Sequence, residues 1–123
     1  MPDGFDIIFV KSWPDAEIVN LYKEGGWWLE HYTADGLEGL IKGSFAFAVA
    51  IDEATGQAVG MGRAISDGVS DAWLQDIVVH RDYRGKGLGR AIIKKLLEHC
   101  MSHGLVWVGL VAEPGTMDFY KPL

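Results

Sequence analysis

The chain of 123 residues has one cysteine, Cys100, and only four prolines. A single cysteine excludes an intramolecular disulfide, a zinc site built from several cysteines and a paired-cysteine redox centre. No apolar run approaches the roughly 18 residues that indicate a membrane-spanning helix. Asp3 and Asp6 stand where a secretion signal would carry positive charge. We therefore expect a cytoplasmic protein without a metal site and without a membrane partner.

Basic residues are also scarce, since 11 lysines and arginines face 17 acidic residues and the net charge is −6. This balance argues against a protein that coats nucleic acid or an anionic membrane. The charge is unevenly distributed, however. Positions 81–95 carry six basic residues and one acidic residue, a net +5, whereas the rest carries five basic and sixteen acidic residues, a net −11. One segment therefore suits an anionic ligand, and the remainder would attract a cation.

Hydrophobic residues make up 49% of the chain, and its length supports a single domain over 1–123. The apolar patterns predict strands at 7–10, 45–51, 58–65, 72–79 and 105–112, and helices at 15–23, 35–42, 88–103 and 116–120. The order strand, glycine-rich turn, helix, strand predicts a right-handed parallel crossover. The predicted class is therefore α/β (α+β), with a mixed sheet and helices on both faces. Cys100 falls on the apolar stripe of the helix at 88–103 and is predicted to be buried, whereas Gly60 and Gly62 indicate a bulge or the close approach of a ligand.

A glycine-rich turn at 84–90, Arg-Gly-Lys-Gly-Leu-Gly-Arg, lies between a predicted strand and the helix at 88–103. Glycines allow unusual φ angles, and the helix start offers free N–H groups to an anion. With three cations in the turn, a phosphate or pyrophosphate is the expected ligand. The spacing does not fit a Walker A loop, and it departs from a dinucleotide-binding loop because Arg90 stands where the last glycine would fall. It does fit Arg-x-x-Gly-x-Gly without a gap.

Positions 77–89, Ile-Val-Val-His-Arg-Asp-Tyr-Arg-Gly-Lys-Gly-Leu-Gly, resemble the acetyl-CoA-binding core of the GNAT superfamily of N-acetyltransferases. The segment Asp-Phe-Tyr-Lys-Pro-Leu at 118–123 resembles the Phe-Tyr helix of that superfamily, and the order of the elements agrees from Ile7 onward. The resemblance implies a mixed, mostly antiparallel sheet with a parallel strand–loop–helix–strand core. It also implies acetyl-CoA as cofactor and direct acetyl transfer to a primary amine of a small molecule.

The resemblance assigns roles to individual residues. The loop would hold the pyrophosphate through backbone N–H groups, and the strand before it would hydrogen-bond the pantetheine arm. The implied cofactor-binding residues are Ile77, Val78, Val79, Arg84, Gly85, Lys86, Gly87, Leu88, Gly89 and Arg90. Tyr120 matches the tyrosine that protonates the departing thiolate.

The general base is not evident from the sequence. On the strand before the loop, the resemblance points to Trp73 and Gln75, neither of which titrates usefully, although Gln75 could orient a water. Asp76 is expected to point to the opposite face, because side chains alternate along a strand.

Residues of the acceptor site are predicted with their alternatives open. Glu30 and Asp71 are candidate bases or acceptor-binding groups, or else solvated carboxylates. Trp27 and Trp28 belong either to the core or to the wall of an acceptor pocket.

The chain ends at Leu123, where family members usually continue with further strands, so the predicted domain is C-terminally short. Truncation, completion of the open sheet edge by a homodimer, or loss of activity would each explain this, and we favour the first two. The alternative function is a non-catalytic acyl-CoA-binding module or sensor of the same fold.

Overall fold

The computed structural model describes residues 2–110, in which five strands form one sheet and three α-helices cover its faces. The elements, in chain order, are β1 (Phe5–Phe9), α1 (Asp15–Glu24), α2 (Leu37–Gly43), β2 (Ala46–Asp52), β3 (Ala58–Ser66), β4 (Asp71–Val79), a 3₁₀ turn (Arg81–Tyr83), α3 (Leu88–Ser102) and β5 (Trp107–Leu110). The predicted helix at 116–120 lies outside the described residues.

The strands lie in the order of the chain, β1-β2-β3-β4-β5. Successive strands pair antiparallel, except that β5 pairs parallel to β4 after the crossover through α3. This confirms the predicted mixed, mostly antiparallel sheet. A strand–helix–strand unit has to return parallel because its helix covers one face of the sheet on the way back.

The two faces of the sheet carry separate hydrophobic cores. On the face that we call the α3 face, Ile92, Leu96 and Cys100 of α3 are fully buried against the sheet. The other face, the α1 face, buries Ile18 and Leu21 of α1 with apolar side chains of α2, β2 and β3. The apolar spacing of α3 explains the first core, since positions four residues apart share one side of a helix. The burial of Cys100 confirms its predicted place in the core.

A β-bulge interrupts β4 where it pairs with β3. Arg63 lies opposite Gln75 and Met61 lies opposite Val78, so one residue of β3 faces two residues of β4. Asp76 has a φ of +59°, the value of the left-handed region. The extra residue changes which side each later side chain takes. Gln75 and Asp76 therefore both lie on the α1 face, and the expectation that Asp76 points to the opposite face was wrong.

Gly62 lies opposite the bulge and packs under α3. A Cβ atom placed on it would come within 2.5 Å of Ile77 Cδ1 and 2.8 Å of Ile92 Cγ2. A Cβ on Gly60 would lie 3.2 Å from Ile92 Cδ1. Gly62 thus lies opposite a bulge, as one of the two predicted alternatives has it. The element that comes close to both glycines is α3, where a ligand was the other expected neighbour.

The start of the last strand differs from the prediction. Leu105 donates its N–H to Cys100 O at 3.1 Å, and Gly104 has a φ of +80°. These contacts close the C-terminus of α3, with Leu105 completely buried beneath it. The strand therefore begins at Trp107, two residues later than expected.

Candidate active site

The glycine-rich turn connects β4 to α3 and leaves open space beside its backbone. Gly85 has a φ of +80° and Gly87 a φ of +86°. No atom of the described residues lies within 4 Å of where a Cβ would stand at either position. Glycine suits both positions because residues with a Cβ atom rarely adopt the left-handed backbone conformation. A ligand can approach the turn closely.

The backbone N–H groups of residues 85–90 form the main polar surface of this turn. Within residues 2–110, none of these six groups donates to a protein acceptor, and the first helical bond is from Ala91 N to Gly87 O at 3.1 Å. They precede and open a helix of 15 residues. The exposed side chains of Lys86 and Arg90 flank them. This arrangement fits a pyrophosphate, because helix N-termini and cations both favour oxyanions.

Beyond the bulge, the backbone N–H and C=O groups of β4 point alternately to its two edges. His80 N donates to Val59 O at 2.8 Å, and Val78 lies opposite Met61. Since alternate residues of an antiparallel pair direct their backbone groups to the partner strand, Val78 faces β3, whereas Ile77 and Val79 face the other edge.

Along that other edge, β5 pairs with β4 only from Asp71 to Leu74, so no strand within residues 2–110 covers Ile77 and Val79. Val79 O accepts a hydrogen bond from Arg84 Nε at 3.0 Å. Within the described part of the chain, three backbone groups at this edge are therefore left for an extended ligand: the N–H and C=O of Ile77 and the N–H of Val79. A pantetheine arm carries amide groups that fit such an edge.

Asp76 forms a partly buried polar cluster on the α1 face. Its Oδ2 accepts hydrogen bonds from Tyr22 Oη and from Arg63 Nε, each at 2.8 Å. The side chains of Arg63 and Asp76 are only 16% and 19% exposed. Burial, with the Asp76 charge and hydrogen bond, raises the pKa of Tyr22 well above its usual range, so the phenol stays a donor. Among the described residues, Oδ1 of Asp76 has no hydrogen-bond donor, which leaves that oxygen for a further partner.

The predicted acceptor residues are only partly brought together. Trp27 and Trp28 are half-buried against the α1-face core, with ring centroids 6.2 and 6.3 Å from that of Tyr22. Both therefore pack against the core from outside it and also border the Asp76 cluster through Tyr22. Glu30 is exposed in the segment after α1. Asp71 is exposed at the start of β4, five residues and about 16 Å from Asp76.

The remaining residues to place are the predicted Gln75 and Tyr120 and the unpredicted Asp76. Gln75 lies beside Asp76 on the α1 face, opposite Arg63. Tyr120 lies outside the described residues. Asp76 was missed as a site residue because strict alternation placed it on the wrong face. The glycines of β3 were the one signal in the sequence for the bulge that turns it.

Comparison with known proteins identifies the family. The family model "Acetyltransferase (GNAT) family" matches residues 8–123. The chain belongs to the GNAT acetyltransferase family. Among solved structures, a GNAT family acetyltransferase from Streptococcus pneumoniae aligns with a TM-score of 0.76 and 25% identity, covering 96% of this chain and 84% of that one. Glucosamine-6-phosphate N-acetyltransferase from Arabidopsis thaliana shares the fold at a TM-score of 0.75 and 19% identity, covering 96% and 88%.

Curated relatives match a shorter part of this GNAT chain. The N-acetyltransferase ycf52 of Pyropia yezoensis and the chloroplastic GCN5-related N-acetyltransferase 1 of Arabidopsis thaliana are each 37% identical over 71 residues, 58% of this chain. The chloroplastic serotonin N-acetyltransferase 2 of Oryza sativa subsp. japonica is 38% identical over 68 residues, 55% of this chain. The matched part spans 41%, 36% and 34% of these proteins, respectively.

These relatives contradict the expected cytoplasmic location, because the plant proteins among them are chloroplastic. The expectation rested on a lone cysteine and on the missing secretion signal. Such features separate reducing from oxidising compartments but do not separate one reducing compartment from another. Over residues 2–110, no helix has the length and apolar character to cross a membrane, and no three His, Cys, Asp or Glu side chains are grouped as metal ligands.

Proposed function

We propose that this GNAT protein transfers the acetyl group of acetyl-CoA directly to a primary amine of a small molecule. The observation that carries the proposal is the set of six backbone N–H groups at 85–90, which donate to no acceptor within residues 2–110. They follow the edge of β4 at Ile77 and Val79 that no strand of the described residues covers. The N–H groups suit the pyrophosphate of coenzyme A, and the edge suits its pantetheine arm. Lys86 and Arg90 add positive charge where the cofactor is most anionic.

Bound acetyl-CoA would supply an activated thioester, and the protein has to supply polarisation and proton transfer. A backbone N–H of Ile77 or Val79 is preorganised to donate to an oxyanion at the open edge. In transfer from bound acetyl-CoA, the neutral amine nitrogen would bond to the carbonyl carbon, the carbon–sulfur bond would break, and the sulfur would take a proton. The nitrogen would release one of its two remaining protons, which restores the group that protonated the sulfur. We assign the protonation of the sulfur to Tyr120, following the family motif.

The amine has to lose a proton before it can attack. Keeping an alkyl amine of ordinary pKa neutral at pH 7 costs about 4.6 kcal/mol. Asp76 is placed to meet this need, because Oδ2 is held by Tyr22 and Arg63 while Oδ1 has no donor within the described residues. We assign Asp76 to binding the ammonium group and to accepting its proton, directly or through a water that Gln75 orients.

The surroundings of Asp76 favour an amine that carries an apolar or aromatic group. Trp27 and Trp28 border the cluster through their contacts with Tyr22. Aromatic rings bind apolar bodies and also attract cations. The rice relative is named for serotonin, an aromatic amine, which agrees with this class of acceptor.

The test measures free thiol released from acetyl-CoA with a panel of amines, comparing Asp76→Asn with the wild type. Asparagine tolerates the left-handed backbone at position 76, so the change removes mainly the charge. We expect the rate to fall about 100-fold, within the range of general base catalysis, while the Kd for coenzyme A changes less than about threefold. Glu98→Gln is the control, since Glu98 is exposed on α3, across the sheet from Asp76, and it should leave both values unchanged. An unaltered rate for Asp76→Asn would remove this carboxylate from the reaction.

The alternative is a non-catalytic acyl-CoA-binding module. One observation favours it: Oδ2 of Asp76 accepts hydrogen bonds from both Tyr22 and Arg63, an arrangement that a purely structural carboxylate would also show. In that case coenzyme A would bind to the loop, yet no amine, including peptide N-termini and lysines, would release free thiol.

A further inference from the structure

Glu24 is the last residue of α1, and its carboxylate meets three basic side chains of the β4–α3 connection. Oε1 lies 2.9 Å from Arg81 Nε and 3.4 Å from His80 Nε2, and Oε2 lies 3.5 Å from Arg84 Nη2. The Glu24 side chain is only 12% exposed. One carboxylate thus joins α1 to the turn that precedes the glycine-rich loop.

The carboxylate stays charged in this environment. Burial by itself would raise the pKa of Glu24, but the Arg81 hydrogen bond and the charges of Arg81, His80 and Arg84 outweigh it and lower the pKa. Such charge-assisted contacts are stronger than neutral hydrogen bonds and fix the direction of an arginine fork. Glu24 is therefore a fixed anionic anchor within a segment rich in cations.

We propose that Glu24 is a positioning residue for coenzyme A, which it serves by holding Arg84 and the 3₁₀ turn in place beneath the pyrophosphate loop. The inference rests on the proposed function. Arg84 donates Nε to Val79 O, and its Nη2 forms an ion pair with Glu24 at 3.5 Å, yet its side chain remains 56% exposed. A guanidinium has five N–H donors, so the anchored fork keeps others for a phosphate.

The last turn of α1, which carries Glu24, also contacts the bulge of β4. Two residues earlier on the same helical turn, Tyr22 donates to Asp76. The last turn of α1 therefore contacts β4 at the bulge and again at the loop that follows the strand. A helix bound at both points keeps the amine-binding carboxylate and the phosphate loop in fixed relation.

The direction in which the Kd for coenzyme A changes in Glu24→Gln distinguishes a positioning role of Glu24 from a purely electrostatic one. Glu24→Gln removes a negative charge close to the loop, so electrostatic attraction alone would tighten the binding of the polyanionic cofactor. Loss of positioning would weaken it instead. We expect the Kd for coenzyme A to rise about tenfold, as for loss of one charge-assisted hydrogen bond.

The experiment is calorimetric titration of the full chain with coenzyme A. The matched control is Glu38→Gln, which breaks an exposed ion pair with Lys42 on α2 and should leave the Kd within about twofold. Because Glu24 acts in part through Arg84, the loss of affinity in the double variant Glu24→Gln/Arg84→Gln should be smaller than the sum of the two single losses. An unchanged or lower Kd for Glu24→Gln, or additive losses in the double variant, would overturn the proposal.

Two further arms keep the result decisive. If Glu24→Gln does not fold, Glu24→Asp, which keeps the charge but shortens its reach, should give the same loss of affinity, and wild-type affinity in it would refute the inference. A wild-type chain that binds no coenzyme A would overturn the proposed function itself. Wild-type binding with an unaffected Glu24→Gln would overturn the role of Glu24 alone.

Discussion

Gly62→Ala tests the close packing between the bulged strand and α3. The added methyl group would lie 2.5 Å from Ile77 Cδ1 and 2.8 Å from Ile92 Cγ2, both far below ordinary contact. Ile92 is completely buried, so neither side chain can move without disturbing the α3-face core. Overpacking of this kind costs about 1–3 kcal/mol. Restricting the unfolded chain returns about 0.4–1 kcal/mol, so we expect a net loss of about 1–2 kcal/mol.

Urea unfolding measures this change as a lower midpoint at constant m value. Gly39→Ala is the matched control, because Gly39 is exposed within α2 and has no atom within 4 Å of its Cβ position. There the same methyl group should stabilise the protein by about 0.5–1 kcal/mol, as alanine does in a helix interior. The two variants should therefore move in opposite directions. A Gly62→Ala protein as stable as the wild type would refute the packing argument.

Two predictions concern titration and reactivity. Hydrogen bonds from the backbone and side chain of Ser70 and from the backbone of Val69 lower the pKa of Asp67 from an ordinary 3.8 to about 2. The ionised Asp67 therefore stabilises the fold above pH 4, and this contribution is lost as the pH falls through 2. The urea midpoints of the wild type and Asp67→Asn should converge between pH 5 and pH 2, and a constant gap would contradict this. Cys100 is fully buried and burial raises its thiol pKa, so Ellman's reagent should react at the unfolding rate, whereas immediate labelling of the native protein would place the thiol at the surface.

The parts of the fold that could be predicted from sequence are those set by local pattern. The apolar rows of α3 and the glycine after it gave the helix within a residue of its observed end. Leu105 shows the limit of this reasoning. It is apolar and precedes an apolar run, so it resembles the first residue of a strand, yet its N–H closes α3 and its side chain lies under the helix. Composition cannot distinguish a hydrophobic helix cap from the start of a strand.

In the candidate site, too, features set by local sequence could be predicted, whereas contacts between distant segments could not. The backbone of the glycine-rich loop could be predicted, because its residues are consecutive and its left-handed glycines and the helix start follow from local sequence. The contacts of Asp76 with Tyr22 and of Glu24 with Arg81 join residues 54 and 57 positions apart. Asp76 also depends on a bulge that reverses its side of the sheet, and a bulge is formed by two strands together. Pairwise tertiary contacts of this kind leave little trace in either segment alone.

The excess of positive charge at 81–95 takes on a more specific meaning in the fold. Arg81 and Arg84 are held by Glu24, and Lys95 lies 5.2 Å from the ring of Phe9 on the other side of α3. Within residues 2–110, Lys86 and Arg90 make no ion pair, and they flank the six free N–H groups. Arg81 therefore helps to shape the loop, Arg84 does so while keeping donors for a ligand, and Lys86 and Arg90 have no ionic partner among the described residues. An anionic ligand, as net charge predicts, would thus find its donors on one short stretch of backbone, where the helix N-terminus also favours it.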